Sequence, residues 1–341
     1  MQFGLFCSPK ADAPGFAAET GQGFRDFLDF NIEAEALGFT SSFSVEHHFS
    51  GWNQSSATLM LLMALAMRTS TLRVGTAVLV LPWHNPVLLA EQAATLDLLS
   101  NGRFDFGIGK GYRYGEFKGF CLPQEEADAR FDESVEVMTR AFTSRERFSH
   151  RGRFWNFEDI VVEPPPMQRP HPPFWVAAGN PQSISRAAAR GFNLILDQYA
   201  APSTIAERIG LYKAAREQAG LQFDPAQVTV ARQLYVAKDG ADRDAALEKQ
   251  REYTRRIVES ARAPGGKPGS HVLAYADQAG ATEENALFGT PDEIVRMLQA
   301  LQTAGVVSVL LTVAGGVEQL RRFAREIMPV FANASSARAA E

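Results

Sequence analysis

The strongest constraint on the fold is the regular alternation of short apolar segments with longer amphipathic segments along the chain. Alternation of this kind predicts β-strands joined by helical crossovers, and therefore a parallel sheet. Eight such units fit a closed (β/α)₈ TIM barrel, an α/β fold, better than an open sheet of two domains. Strands are predicted near residues 2–7, 40–46, 72–80, 104–109, 174–178, 193–197, 228–236 and 306–313. Helices are predicted near 23–38, 54–69, 87–100, 130–143, 182–190, 203–219, 241–260 and 317–331.

Two insertions, at residues 111–129 and 261–287, interrupt the regular units. Long loops inside a compact domain are usually functional lids or disordered, and strand-to-helix loops lie on the catalytic face of a barrel. The second insertion is therefore expected to be either a mobile lid or a solvent-exposed excursion. No linker divides the alternation, so residues 1–331 are expected to form a single domain and 332–341 a disordered tail.

Composition narrows the partners and the compartment expected for this chain. The formal net charge is −5, so no basic field draws the protein to nucleic acid or to an anionic membrane. No run of about 18 apolar residues is present to form a membrane span. Cys7 and Cys121 form no CxxC pair, which argues against a disulfide or a cysteine metal site. We therefore expect a cytoplasmic protein that has neither a nucleic-acid nor a membrane partner.

Glu46, His47 and His48 follow a short apolar segment, at the expected end of a strand. Imidazole is the side chain whose ordinary pKa allows proton transfer near neutral pH. Adjacent strand residues point to opposite faces, so one of the two histidines at most is expected to face a given site. They lack the i, i+4 spacing of a helical metal pair, so no metal is expected. These residues alone are compatible with a catalytic site at the strand end or with a turn that carries polar side chains but has no catalytic role.

A glycine-rich strand end is the second candidate site. Gly107, Gly109 and Gly111 alternate, and Lys110 stands between the last two. Glycine lets a backbone approach a ligand closely, and lysine pairs with phosphate. The spacing is GxGxG rather than the GxGxxG of dinucleotide-binding folds, which argues against such a fold. A tight turn at a barrel rim explains the same residues without a ligand.

A helix start after the strand at 174–178 is the third candidate site. Gly179, Asn180 and Pro181 precede Ser183 there. Free backbone N–H groups at a helix start, together with the serine hydroxyl, suit a phosphate. Ordinary capping of the helix by Asn180 is the alternative explanation.

Five segments in order resemble the bacterial luciferase-like flavin monooxygenases, and the resemblance extends over nearly the whole chain. These segments are Glu46–Phe49, Val74–Pro82, Gly102–Gly111, Phe174–Ser183 and Phe288–Pro291. The resemblance implies a (β/α)₈ barrel that binds reduced FMN at the C-terminal ends of its strands. It is specific to the family but not to a substrate.

The resemblance also implies roles for individual residues. His47 would act as the catalytic base, supported by its neighbours Glu46 and His48. Ala77 and Val78 fall where luciferase has a non-proline cis peptide beside the flavin ring. The full set of residues expected to bind the cofactor is Ala77, Val78, Gly109, Lys110, Gly111, Tyr112, Gly179, Asn180 and Ser183. Gly109 stands where luciferase has a reactive cysteine, Lys110 where it has an arginine, and Gly179 where it has a glutamate. These differences argue against light emission but not against flavin binding.

The leading interpretation is an FMN-dependent monooxygenase. A separate flavin reductase would supply reduced FMN, which reacts with O₂ through a flavin C4a-hydroperoxide to oxygenate a small, largely apolar organic substrate. The alternatives are an F420-dependent hydride-transfer oxidoreductase and a non-catalytic flavin-binding relative. The run at residues 59–67 is apolar on every face, and luciferase-like proteins pair through their early helices, so a homodimer is expected.

Overall fold

The computed structural model describes residues 1–11, 20–51, 55–261 and 281–332. In these ranges the strands are β1 (Gln2–Phe6), β2 (Ser41–Ser44), β3 (Arg73–Thr76), β4 (Leu79–Val80), β5 (Phe104–Gly109), β6 (Phe148–Arg151), β7 (Asn156–Ile160), β8 (Phe174–Ala177), β9 (Asn193–Leu196), β10 (Val228–Val236), β11 (Leu287–Gly289) and β12 (Ser308–Val313).

The helices of the same ranges are α1 (Gln22–Ala36), α2 (Thr58–Arg68), α3 (Pro86–Leu99), α4 (Tyr114–Gly119), α5 (Ala127–Thr143), α6 (Pro181–Ala189), α7 (Pro202–Gln218), α8 (Gly240–Ala261), α9 (Ala281–Glu284), α10 (Pro291–Thr303) and α11 (Val317–Glu326). Short 3-10 helices lie at Leu81–Trp83, Gln124–Glu126 and Pro225–Gln227. Among these described helices, none combines the length and the apolar character needed to cross a bilayer.

The main sheet is parallel and closed. Its strand order is β11–β10–β12–β1–β2–β3–β5–β8–β9, and β9 also pairs with β10. The extra pairing completes a ring of eight strands, while β11 extends from β10 and β4 pairs with β5. The predicted TIM barrel is therefore confirmed. The strand predicted at 72–80 is divided into β3 and β4, and the cis peptide bond between Ala77 and Val78 lies between them.

Capping side chains start several of the helices in the way that the sequence suggests. Asn85 accepts hydrogen bonds from the N–H groups of Val87 and Leu88 at the start of α3. Thr290 and Glu293 form a capping box at the start of α10. Such contacts satisfy backbone N–H groups that a helix leaves unpaired in its first turn. Local sequence therefore fixes where these barrel helices begin.

The two insertions differ from their predictions in what the structure describes. The first is not a plain loop, because residues 114–119 form α4 inside it. Glu116 and Phe117 are 3% and 1% exposed, so tertiary burial rather than local propensity holds this short helix. The second insertion lies outside the described residues from 262 to 280, and its end forms α9 and β11. The tail predicted at 332–341 also lies outside them, apart from Ala332.

An antiparallel hairpin of β6 and β7 is an element that the sequence pattern did not predict. The carboxylate of Glu133, on α5, accepts hydrogen bonds from the backbone N–H groups of Arg153, Phe154 and Trp155 in the hairpin turn. Its Oε1 also lies 3.3 Å from His150 Nε2. One partly buried carboxylate on a helix thus holds a mostly polar hairpin that has little apolar surface of its own.

Two compact units are distinguished within the chain, one of Met1–Cys7, Asp29–Phe43 and Ala177–Glu341, and one of Ser8–Leu28 and Ser44–Val176. In the first unit Phe3 packs edge-on against Phe323, with 5.0 Å between ring centroids. In the second unit Phe104 and Phe106 pack with 5.2 Å between ring centroids. The expectation that residues 1–331 act as a single domain stays a prediction.

Candidate active site

The segment after β2 carries the titratable residues that the sequence singled out. β2 ends two residues earlier than predicted, so Glu46, His47 and His48 lie in the loop that follows. Thr58 Oγ1, at the start of α2, donates a hydrogen bond to the carbonyl oxygen of Val45 at 3.0 Å. A buried helix start therefore holds this loop in place, although it is not a strand.

Glu46 is the centre of one hydrogen-bonded cluster. Its residue is 1% exposed, and its Oε1 lies 2.7 Å from His84 Nε2 and 3.2 Å from His48 Nε2. Its Oε2 accepts a hydrogen bond from the N–H of Val80 at 2.7 Å. Burial alone would raise the pKa of this carboxyl group, but the hydrogen bonds from His48, His84 and Val80 outweigh it and lower the pKa to about 2. Glu46 is therefore a carboxylate throughout the physiological range.

A second cluster pairs His47 with Glu116 of α4. The Nδ1 atom of His47 lies 3.0 Å from Glu116 Oε1, which also accepts a hydrogen bond from the backbone N–H of His48. Burial is the largest influence on the pKa of His47 and lowers it below 6.5; the bond to Glu116 opposes this, and the charge of Arg113 adds to it. His47 is therefore a neutral imidazole at pH 7. With its proton on Nδ1, facing Glu116, the lone pair on Nε2 is available to accept a proton.

Aromatic rings surround the two histidines in the second unit. Trp83 stacks on Phe120 with 5.1 Å between centroids, and His48 meets Phe120 edge-on at 4.8 Å. Phe49 lies 5.0 Å from Phe120, and it is 62% exposed. The ring of Tyr112 is edge-on to His47 at 6.4 Å. Beyond their carboxylate partners and Arg113, the imidazoles are thus surrounded by aromatic rings, which suit a ligand with apolar surface.

The glycines of β5 have a structural role in addition to the cofactor role predicted for Gly109 and Gly111. A Cβ added at any of them would lie less than 3.0 Å from the segment that includes the cis peptide bond: Thr76 opposite Gly107, Val78 opposite Gly109, and Val80 opposite Gly111. Gly107 therefore lets the backbones of β5 and β3 approach each other closely, and Gly109 and Gly111, the latter just after β5, leave room for the Val78 and Val80 side chains. The cis bond of Ala77–Val78 itself agrees with the resemblance, while the cofactor contacts of these residues stay predictions.

Lys110 and Tyr112 point to different surroundings. Lys110 Nζ forms an ion pair with Asp128 Oδ1 at 2.8 Å, and both side chains are about half exposed. A phosphate at Lys110 would have to replace this carboxylate. Tyr112, in contrast, lies beside His47. The structure thus brings Tyr112 to the histidines and directs Lys110 to the surface.

Gly179, Asn180 and Ser183 belong to the first unit, at the start of α6. Asn180 Oδ1 accepts a hydrogen bond from the backbone N–H of Ser183 at 2.9 Å. The capping explanation therefore accounts for this N–H group. Phosphate binding by these residues stays a prediction.

Buried polar atoms without partners test whether the site fits a bound flavin. In the described part of the chain, the buried Trp83 Nε1 and Arg113 Nε atoms have no hydrogen-bond acceptor. The ring of Trp83 packs edge-on against His48, and the positive charge of Arg113 lowers the pKa of His47. A flavin is rich in carbonyl and ring-nitrogen acceptors, so the N–H donor of Trp83 fits such a ligand, whereas the charged Arg113 suits an oxyanion. No group of three or more His, Cys, Asp and Glu in the same described ranges could hold a metal ion.

The sequence model of one protein family, described as luciferase-like monooxygenase, matches residues 1–308. The chain belongs to the luciferase-like monooxygenase family. The family resemblance predicted from five short segments is therefore confirmed over most of the chain.

Individual luciferase-like proteins support the same assignment. The crystal structure of monooxygenase RslO1 from Streptomyces bottropensis has a TM-score of 0.83 and 30% identity, and covers 97% of this chain and 100% of that chain. The FMNH₂-dependent dimethylsulfone monooxygenase of Pseudomonas fluorescens is 28% identical over 343 residues, 92% of this chain and 91% of that protein. The oxygenase component of a flavin-dependent trigonelline monooxygenase from Acinetobacter baylyi is 25% identical over 331 residues, 91% of this chain and 90% of that protein.

Other relatives use a different cofactor. The F420-dependent glucose-6-phosphate dehydrogenase of Kineococcus radiotolerans is 30% identical over 231 residues, 64% of this chain and 64% of that protein. The luciferase-like relatives of this chain thus include both FMNH₂-dependent monooxygenases and F420-dependent enzymes.

Two charged residues of this luciferase-like site escaped prediction from the sequence. Glu116, the partner of His47, lies 69 residues away along the chain, within an insertion that carried no helical pattern. Arg113 lies in the same insertion. The one available signal was the cluster of tyrosine, arginine and glutamate directly after the glycine-rich strand, because polar residues there fall on the catalytic face of a barrel.

Proposed function

We propose that this protein is the oxygenase of a two-component, FMN-dependent monooxygenase that acts with O₂ on a small, largely apolar organic substrate. Bound reduced FMN would supply the electrons that activate O₂. The observation that carries the proposal is the nearly buried pair of His47 and Glu116 beside aromatic rings and the unpartnered N–H donor of Trp83. The residues proposed to hold the cofactor are those that the resemblance assigns: Ala77, Val78, Gly109, Lys110, Gly111, Tyr112, Gly179, Asn180 and Ser183.

The proposed role of His47 follows from its surroundings. Its neutral imidazole would accept a proton at Nε2, and the Glu116 carboxylate at Nδ1 would stabilise the imidazolium that results. The rings of Trp83, Phe120 and Tyr112 would exclude water from the reacting groups. Glu46 and His48 would act as supports, because Glu46 binds the His48 side chain.

Two observations favour FMN over F420. In the sequence comparison, the monooxygenase relatives match about nine-tenths of both chains, whereas two F420-dependent glucose-6-phosphate dehydrogenases match 53–64% of this chain. The fold does not separate the two cofactors, because the structure of an F420-dependent secondary alcohol dehydrogenase covers 96% of this chain at 21% identity. The relative from Acinetobacter is named as an oxygenase component, which supports a separate flavin reductase as partner. F420-dependent hydride transfer is the second candidate function, favoured by the 30% identity of the dehydrogenase relative.

A cofactor exchange experiment tests the proposed function. Protein freed of cofactor is titrated with photoreduced FMN and with reduced and oxidised F420, and binding is followed by fluorescence. The FMN-loaded protein is then given ¹⁸O₂ and a panel of apolar carbonyl compounds, and products are examined by mass spectrometry. We expect FMN binding and one ¹⁸O atom per product molecule. Binding of F420 alone would favour the second candidate, and FMN binding without turnover on any compound would favour a non-catalytic relative.

The homodimer is also proposed, from exposed apolar side chains on two helices of the second unit. On α2, Met60 and Met67 are 77% and 56% exposed, and on α3, Leu88 and Leu99 are 56% and 52% exposed. Large apolar side chains clustered on neighbouring helices are typical of an interface. The chain alone has a mass of 37.4 kDa.

We expect light scattering coupled to size-exclusion chromatography to give twice the chain mass for the wild type. The double variant Met60→Glu, Leu88→Glu is expected to give the mass of a single chain, because two charges would be buried without partners. The matched control is Met167→Glu, at a side chain that is 47% exposed and lies on neither helix. A single-chain mass for the wild type would contradict the proposal.

A further inference from the structure

Arg113 is a buried arginine that has no counter-ion among the described residues. The residue is 5% exposed, and its Nε atom is buried and has no hydrogen-bond partner. Among the residues that the structure describes, no carboxylate lies within ion-pair distance of its guanidinium. Its Cζ atom lies 5.9 Å from the centre of the Tyr112 ring. A full positive charge is thus held away from water beside an aromatic ring.

The other buried arginines of this protein show how unusual this arrangement is. Arg208 pairs with Asp197 at 2.6 Å. Arg216 donates hydrogen bonds to the Gln222 carbonyl oxygen and to the Tyr212 hydroxyl. Arg232, which is 1% exposed, donates to the backbone carbonyl oxygens of residues 197, 200 and 231. Each of these guanidinium groups has acceptors within the protein, whereas Arg113 has none in the described part of the chain.

The neighbouring carboxylate does not supply the missing partner. Glu116 Oε1 is occupied by His47 Nδ1 and by the backbone N–H of His48. The positive charge of Arg113 also acts on His47, whose pKa is lowered first by burial and further by this charge. The free guanidinium therefore lies close enough to the His47 imidazole to influence its protonation.

An unpaired buried charge is costly, and a guanidinium matches a carboxylate through two parallel hydrogen bonds. We propose that Arg113 binds the carboxylate of the substrate, so that the substrate is an apolar carboxylic acid held with its charged end beside His47. This inference rests on the proposed function and adds the charged group that the aromatic surroundings do not reveal.

The cofactor phosphate is the other source of an oxyanion. The phosphate is disfavoured because Arg113 lies close enough to act on His47, the proposed proton-transfer group. The substrate, rather than the phosphate of the cofactor, is the molecule that has to lie beside that group. Lys110, the residue proposed to bind the phosphate, is a different cation, which forms an ion pair with Asp128 at the surface. The two sources predict different effects of one substitution on carboxylate binding and on FMN binding.

The test uses calorimetric titration of the flavin-free full chain with matched probes. Benzoate and octanoate are compared with benzamide and octanamide, which have nearly the same shape and no charge. We expect each carboxylate to bind about ten- to a hundredfold more tightly than its amide in the wild type, the range typical of hydrogen bonds to charged groups. In Arg113→Met this preference should disappear, and Arg113→Lys should restore part of it. The affinity for FMN should be the same in all three proteins.

The matched control is Arg130→Met. Arg130 lies in the same unit, over the ring of Phe154 at 4.3 Å, but it is paired with Glu126 at 2.9 Å. Its replacement should leave the preference for carboxylates intact. Thermal unfolding adds a readout that does not depend on binding. Arg113→Met should unfold at or above the wild-type temperature, because it removes an uncompensated buried charge, whereas a structural arginine would lower that temperature.

Three results would overturn the inference. The first is equal affinity of the wild type for carboxylates and amides. The second is a carboxylate preference that survives in Arg113→Met. The third is a loss of FMN affinity in that variant without a change in carboxylate binding, which would assign Arg113 to the cofactor phosphate. Because the carboxylate and amide titrations contain neither flavin nor O₂, their failure is distinguishable from a failure of the proposed oxygenase activity.

Discussion

Replacing His47 with asparagine is expected to lower kcat of the flavin-dependent oxygenation by about 10²- to 10⁴-fold, the usual contribution of a general base. Asparagine keeps a polar side chain of similar size next to Glu116, so the loop after β2 should remain folded. Since burial lowers the pKa of His47 below 6.5, the neutral base predominates at pH 7. The wild-type rate should therefore fall only as the pH decreases below 6.5, and this acidic limb should be absent from the residual activity of the variant.

Two further variants separate this role from a structural one. Glu116→Gln keeps an acceptor for the His47 N–H but removes the charge that raises its pKa, so the acidic limb should move to lower pH. His150→Asn is the matched control, because His150 is also paired with a glutamate, Glu133, but lies on the hairpin. Its kcat should equal that of the wild type. A kcat of His47→Asn similar to that of the wild type would remove His47 from the mechanism.

The second large effect is expected from Gly107→Ala, and it concerns stability. The added methyl group would overlap the backbone carbonyl of Thr76, whose hydroxyl also donates a hydrogen bond to the Gly107 carbonyl at 2.6 Å. Neither backbone segment can move without breaking strand pairing between β3 and β5. Overpacking in a core typically costs about 1–3 kcal/mol, and a clash with backbone belongs at or above the upper end. We therefore expect the free energy of unfolding, measured in urea, to fall by about 3 kcal/mol or more.

Gly115→Ala provides the control for this substitution. A Cβ at Gly115 would meet no atom within 4 Å, and the residue lies within α4. Alanine in a helix is about 0.5–1 kcal/mol more favourable than glycine, so this variant should be equal to or slightly more stable than the wild type. Equal urea midpoints for Gly107→Ala and Gly115→Ala would contradict this prediction, because they would show that close packing against Thr76 does not require glycine at position 107.

Periodicity predicted the barrel because its strands are buried and its helices are amphipathic, and both patterns are local. The hairpin of β6 and β7 was not predictable in the same way. Its strands are largely exposed and polar, and Glu133 on another element holds its turn. Helix α4 was missed for a similar reason, since its six residues are too few for a helical period and are held by the burial of Phe117. Elements that depend on distant contacts leave little trace in local pattern.

The residues of the site differ in the same way in how far the sequence could predict them. His47 was predictable because an imidazole pair at a strand end is rare and matches a family motif. Glu116 and Arg113 were not, because their importance depends on side chains that meet only in the folded chain. Gly109 and Gly111 were recognised as special and their predicted cofactor role stays a prediction, but their close packing against Val78 and Val80 was not foreseen. A single sequence identifies unusual residues more readily than it identifies what they contact.

His48 connects the two glutamates of the site, since its backbone N–H binds Glu116 and its imidazole binds Glu46. Changes at the two glutamates should therefore not be independent in their effects. In evolutionary terms, the segment from Glu46 to His48 can change little without compensation at both partners. The side chains of Phe49 and Phe120 make ring contacts and have no hydrogen-bonding groups that need partners. Substitutions at the aromatic side chains could thus change the substrate without disturbing His47, the proposed proton-transfer group.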